Sequence, residues 1–195
     1  MKRSIIILAF FFSFTDFAQT INGISVDSTS VSQKNDNPSF NKPNFGFNKE
    51  DATFKTYSDK DYIVYDVEGY TQKELYNAML LGLSKLFNNP DKVLTKVENE
   101  LITVNTVSEY YLLDDSNRYA LSYTVRFYFK DGKIRVDKPI VNSIITKTGK
   151  EIKDVAGWIK MFNSTILTVG HFGREVNNTI LSYLTKSFSK EDTDW

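Results

Sequence analysis

The chain has 195 residues, with 24 Lys+Arg balanced by 24 Asp+Glu, and it contains no cysteine. A zero net charge gives no general attraction toward nucleic acid or an anionic membrane, and the missing thiols exclude disulfides, thiolate metal sites, cysteine nucleophiles and a lipidated N-terminal cysteine. Fifteen Phe and 11 Tyr supply large apolar side chains to bury in a core, which a wholly disordered chain lacks.

Lys2 and Arg3 precede an apolar run from Ile5 to Phe14, and Asp16-Phe17-Ala18-Gln19 follows. A basic start, a short apolar run and a small residue at its end predict a secretory signal peptide over residues 1–18, cut after Ala18. The run falls short of the roughly 20 apolar residues that a membrane-spanning helix needs. The expectation is therefore an exported protein, periplasmic or extracellular, with no transmembrane span after cleavage. Residues 19–60 are rich in Ser, Asn, Asp and Lys and sustain neither a helical nor a strand period. They predict a flexible polar leader, dispensable for folding, in which Phe40, Phe45, Phe47, Phe54 and Tyr57 are scattered. The folded domain is placed at residues 61–190, with a polar tail at 191–195.

Within that domain, Asp61 to Glu68 alternates as a first strand and Gly69 ends it. Thr71-Gln72-Lys73-Glu74 fits a capping box, in which the Thr side chain and the Glu side chain each satisfy the other residue's backbone N–H. Leu75, Met79, Leu83 and Leu86 then form the apolar stripe of a helix, which Asn88-Asn89-Pro90 stops. Strands follow at Lys92–Val97 and Leu101–Ser108 around a tight turn at Glu98-Asn99-Glu100, with turn chemistry at Asp114–Asn117.

Tyr119 to Lys130 is the clearest strand. Tyr119, Leu121, Tyr123, Val125, Phe127 and Phe129 take one face, while Ala120, Ser122, Thr124, Arg126, Tyr128 and Lys130 take the other. Asp131-Gly132 predicts a two-residue type I′ hairpin, with positive φ at both residues, leading into Lys133–Lys138. That loop fixes a register: Lys130 faces Lys133, Phe129 faces Ile134, Tyr128 faces Arg135, Phe127 faces Val136 and Arg126 faces Asp137. Pro139 cannot donate to a ladder, so it predicts a bulge or bend before a strand at Ile140–Ile145. Thr148-Gly149-Lys150 turns the chain, Asp154 opens a short helix over Val155–Phe162, and Gly170–Gly173 reads as a loop. Val176, Ile180, Leu184 and Phe188, joined by Leu181, predict a second amphipathic helix over residues 174–189.

These elements predict an α+β fold, a five-stranded antiparallel sheet with two helices on one face in the order β-α-β-β-β-β-α. The wording of YIVYDVEGYTQKELYNAM and VRFYFKDGKIRV, within residues 62–145, resembles a domain of unknown function with a TBP-like fold, found in secreted Bacteroidetes proteins. The resemblance extends over about residues 60–190. It implies that fold, also of helix-grip type, and it brings no catalytic residues to carry over.

No catalytic set, cofactor motif or metal-ligand pattern is legible. His171, inside Gly-His-Phe-Gly, is the one histidine, and the chain has no GxSxG, Walker-type or GxGxxG segment. The carboxylate pairs Glu98/Glu100, Asp114/Asp115 and Glu191/Asp192 fall in turns or the tail, where solvated acids are ordinary. The expectation is a non-enzymatic binding or interaction module of the cell envelope, without cofactor, catalytic residue or metal. Its partner would be an envelope protein or a surface polymer rather than nucleic acid. The candidate interaction face is Arg126, Tyr128 and Arg135, the long polar side chains that the register gathers on the outer sheet face; Arg and Tyr dominate interface energetics. The alternative is a binder of a small apolar ligand held between sheet and helix, with Gly82 leaving room and the inward tyrosines as polar handles.

Overall fold

The computed structural model describes residues 38–58, 60–109, 111–112, 118–161 and 166–189. The predicted signal peptide, the first part of the leader, Asp114–Asn117 and the tail lie outside the described residues. The elements in chain order are β1 (Phe45–Asn48), β2 (Thr53–Thr56), β3 (Tyr62–Asp66), α1 (Gln72–Leu86), α2 (Pro90–Val93), β4 (Leu94–Val97), β5 (Leu101–Val107), β6 (Tyr111–Leu112), β7 (Arg118–Lys130), β8 (Lys133–Asp137), β9 (Ile140–Thr146), β10 (Glu151–Ile152), α3 (Val155–Met161) and α4 (Ile166–Phe188).

The fold is α+β, organised around β7. Phe127 pairs with Ile102 of β5 on one edge and with Val136 of β8 on the other. Farther along, Tyr123 pairs with Thr106 of β5 and Val141 of β9. One long strand therefore serves β8 with one half and β9 with the other. The break between them falls at Pro139, which interrupts the ladder as its missing N–H requires. β4 lies beyond β5, β3 beyond β8 and β10 beyond β9, all antiparallel. The sheet has eight strands rather than five. The extra ones are the two-residue pieces β6 and β10, too short to leave a periodic signature, and the full separation of β8 from β9 at Pro139.

Helix α1 starts as predicted: Glu74 N–H donates to Thr71 Oγ1 at 3.3 Å, and Thr71 N–H donates to Glu74 Oε2 at 2.9 Å. Leu75, Met79 and Leu83 have no exposure. Pro90 ends that register and opens the single turn α2, so β4 begins at Leu94 rather than Lys92. Asp154 caps α3, accepting from Gly157 N–H at 2.9 Å.

Four further expectations about these elements are corrected. First, the second helix is longer than its predicted 174–189, running from Ile166 through the Gly-His-Phe-Gly segment to Phe188. Phe172 at 1% exposure extends the Val176–Ile180–Leu184 stripe by one turn, and this burial outweighs the low helix propensity of two glycines. Second, the hairpin turn has positive φ at Gly132 alone. The turn is shaped from outside: Gly132 N–H donates to Tyr70 O at 2.8 Å, Val67 N–H donates to Gly132 O at 2.7 Å, and Gln72 N–H donates to Asp131 Oδ1 at 2.7 Å. Asp131 thus satisfies a free amide of the α1 N-terminus.

Third, the second half of the leader is part of the core. Phe40, Phe45, Phe47 and Phe54 are at most 9% exposed, and β1 pairs with β2 from Phe45↔Thr56 to Asn48↔Thr53. Asn177 of α4 holds β1 as a neighbouring strand would. Its Oδ1 accepts from Phe45 N–H at 3.1 Å, and its Nδ2 donates to Phe45 O at 2.9 Å. Phe47 stacks edge-on to Phe54 and Phe172, with centroids 5.0 and 6.1 Å away. Polar composition hid a period of two that lasts only four residues per strand. Fourth, Gly82 does not make room for a ligand. A methyl group there would overlap the Ser187 backbone, so the glycine lets α1 and α4 touch.

The core fills the space between the helices and the inner sheet face. Ile102, Val104, Val125, Phe127, Ile134, Val136, Val176, Ile180 and Leu184 all have no exposure. Residues without exposure border no space that a water molecule could enter.

Candidate functional site

The opposite sheet face is open at its β3–β8 end, while toward β9 it is closed, with Ala120 and Ser143 without exposure. Pairings Val97↔Leu101, Leu101↔Tyr128, Tyr128↔Arg135 and Val64↔Arg135 place these five residues in one row across β4, β5, β7, β8 and β3. Side chains paired across a ladder share a face, and here that face is turned away from the core. Val64 and Val97, at the ends of the row, are 42% and 48% exposed.

Arg135 is the centre of this face. Its Cζ lies 4.6 Å from the Tyr128 ring centroid and 5.0 Å from that of Tyr62, so two rings flank one guanidinium. Both distances fall within cation–π range. Arg135 Nε donates to Asp137 Oδ1 at 2.8 Å. That bond, reinforced by the Asp137 charge, holds the guanidinium pKa above its ordinary value. Beside it, Lys133 pairs with Asp66, and Lys138 Nζ with Asp61 Oδ1 at 2.8 Å, so each ion pair ties β3 to the β8 end of the sheet. Tyr62, Val64, Gln72, Glu100, Tyr128 and Lys130, with Lys133 and Arg135, line an open depression of about 520 Å³.

Of the three predicted residues, Tyr128 and Arg135 meet as the register required, and Arg126 stands one row away, exposed, paired in the ladder with Thr103. The expected Arg126–Asp137 contact is replaced. The β7–β8 ladder ends at Phe127↔Val136 as the chain approaches Pro139, and Asp137 bonds Arg135 within its own strand instead. Sequence reasoning missed Tyr62 and Val64. Their alternation with Ile63 and Tyr65 was visible, but nothing local says that β3 lies beside β8.

His171 sits within α4 rather than in a surface loop. Its Nε2 is 2.9 Å from Glu175 Oε2, and Glu175 Oε1 accepts from Glu109 N–H at 2.7 Å, so the pair anchors the chain after β5 to the helix. Glu98 and Glu100 flank Asn99, whose φ of 60° makes the β4–β5 turn. Among the described residues, no group of three His, Asp or Glu is placed to hold a metal ion.

A TBP-like α+β fold, an antiparallel sheet covered by helices on one side, is the class to which these features point. Residues 62–138 match the family described as domain of unknown function (DUF4468) with TBP-like fold, as the wording of residues 62–145 implied. The matched span runs from β3 to β8 and includes every residue that lines the depression. The crystal structure of a TBP-like protein from Parabacteroides distasonis is similar, with a TM-score of 0.51 at 14% identity, covering 67% of this chain and 92% of that one. A DUF4468 family protein from Bacteroides ovatus gives a TM-score of 0.49 at 13% identity over 88% of this chain and 100% of its own. No curated protein matches the chain. At such identities the likeness concerns the fold, and function belongs to sites rather than folds.

Proposed function

We propose that the protein is an exported, non-catalytic interaction module that binds its partner with the outer face of the sheet. One observation carries this reading: Arg135, flanked by Tyr62 and Tyr128, stands in an exposed row whose ends are the apolar Val64 and Val97. Aromatic rings and arginine are the side chains most enriched at energetically dominant interface positions. Guanidinium, phenol and aliphatic groups together offer hydrogen bonding, charge and dry contact area without any bond-making chemistry. The basic, apolar N-terminal segment supports export, and among the described residues no helix is long and apolar enough to cross a membrane. A ligand held between sheet and helix finds less support, since Gly82 is filled by the helix contact and Ile102, Val125, Phe127, Ile180 and Leu184 have no exposure.

The test is capture from solubilised envelope fractions, using the wild-type chain and a Tyr128→Ala, Arg135→Ala double variant. The expected outcome is a partner retained by the first and lost by the second, at a melting temperature that moves by only a few degrees. Equal retention by both would place the binding surface elsewhere.

A further inference from the structure

We propose that the outer face docks an extended acidic peptide segment, one that sets two carboxylates on either side of an apolar side chain. The proposal rests on the reading of this face as the binding surface and specifies the partner's chemistry. Two of the basic residues here already have acids of their own, Lys133 with Asp66 and Arg135 with Asp137. Arg126 and Lys130 are both exposed and have no acidic partner among the described residues. They flank Tyr128 on the same strand and the same face, two residues to either side. At about 3.4 Å per residue they stand ~14 Å apart along β7. An extended peptide with acidic residues at positions one and five, and an apolar residue at position three, repeats that spacing. Its central side chain would rest on Tyr128, Leu101 and Val97.

The face also indicates what it does not suit. Glu100 and Lys130 both line the depression, and Asp66 and Asp137 lie along β3 and β8. A densely charged polyanion would meet these acids, whereas two discrete carboxylates avoid them. Sugar rings bind by stacking on open aromatic faces, but Tyr62 and Tyr128 each already present one to Arg135. Exposed Val64 and Val97 instead offer apolar area that a peptide side chain can cover.

The probe is a fluorescent acetyl-Ser-Glu-Ser-Trp-Ser-Glu-Ser-amide peptide, titrated against the full chain by anisotropy at low ionic strength. The expected result is saturable binding that Arg126→Glu with Lys130→Glu weakens at least ~tenfold. A second peptide with Lys for both Glu should then bind the reversed variant better than the wild type. Both substitutions are on exposed side chains, and an unchanged melting temperature verifies the fold. The proposal is overturned by no saturation below about 1 mM, by indifference to charge reversal, by a heparin fragment that binds more tightly than the peptide, or by self-association through this face in sedimentation. If the peptide fails while partner capture still depends on Tyr128 and Arg135, the face binds something else and the broader reading stands.

Discussion

β7 presents two surfaces from one stretch of backbone, and the two follow different rules. On the inner side Leu121, Val125 and Phe127 have no exposure and are fixed by their neighbours on α1 and α4. On the outer side Arg126 and Lys130 reach into solvent, and Tyr128 is held by a guanidinium instead of a core. The contrast teaches that a single residue step along this half of β7 separates side chains packed in the core from side chains open to solvent. A substitution on one face should act on the melt, and on the other on binding.

The largest effect concerns the inner side. A chain beginning at Asp61 would strip Phe40, Phe45, Phe47 and Phe54 from the core. At about 1.5–3 kcal/mol for each buried aromatic, the loss exceeds ~5 kcal/mol and approaches the whole stability of an ordinary domain. Urea unfolding should show a truncated chain that is largely unfolded in buffer. A truncated domain as stable as the full chain would mean that the β1–β2 hairpin is an ornament on the fold.

Next in size is the step between Phe127 and Tyr128. Phe127→Ala should cost about 3–5 kcal/mol, as for other fully buried aromatics. Tyr128→Ala should cost under ~1 kcal/mol, the scale of an exposed cross-strand and cation–π contact. Comparable losses in the same urea series would show that both faces are covered and would end the one-sided description of the sheet.

What could be read in advance follows the same division. Alternation along residues 119–130 gave the inner face, and the Asp-Gly loop gave four register pairs, because both signals are local. The Thr71–Glu74 capping box was equally local. The pairing of β3 with β8 was illegible: Tyr62 and Arg135 meet across more than seventy residues of chain. Asp131 was read as a turn residue, yet its carboxylate also caps α1, and that second role reshapes the turn. Composition was misleading in the leader, where Gly46, Asn48, Thr53 and Lys55 occupy the outward positions of a hairpin. In Gly-His-Phe-Gly, the glycines suggested a loop while Phe172 was continuing a helical stripe begun downstream. Of the candidate site, the Tyr128–Arg135 half was visible and the Tyr62 half was not.

The smallest expected effect distinguishes the tyrosines of the two faces. Tyr65 points inward from β3, and its hydroxyl is buried with no hydrogen-bond partner. Burial disfavours the phenolate and pushes the Tyr65 pKa from 10.0 up to about 12. The raised folded-state value means that the protonated ring's stabilising contribution is fully present below pH ~10 and is lost as the pH rises toward ~12, since the unfolded chain ionises first. Tyr65→Phe removes an unpartnered hydroxyl from the core while keeping the ring against Phe40, 5.7 Å away between centroids. At neutral pH the variant should therefore be unchanged or more stable by up to ~1 kcal/mol. Burial also raises Tyr76, Tyr123 and Tyr183, so the wild-type decline at high pH has several sources. The informative quantity is the difference between the two proteins in urea melts taken across pH 9 to about 12. That difference should grow in favour of the phenylalanine variant above pH ~10. A constant difference would show that the Tyr65 hydroxyl reaches solvent, and the inner face at β3 would then be looser than its packing against Phe40 requires.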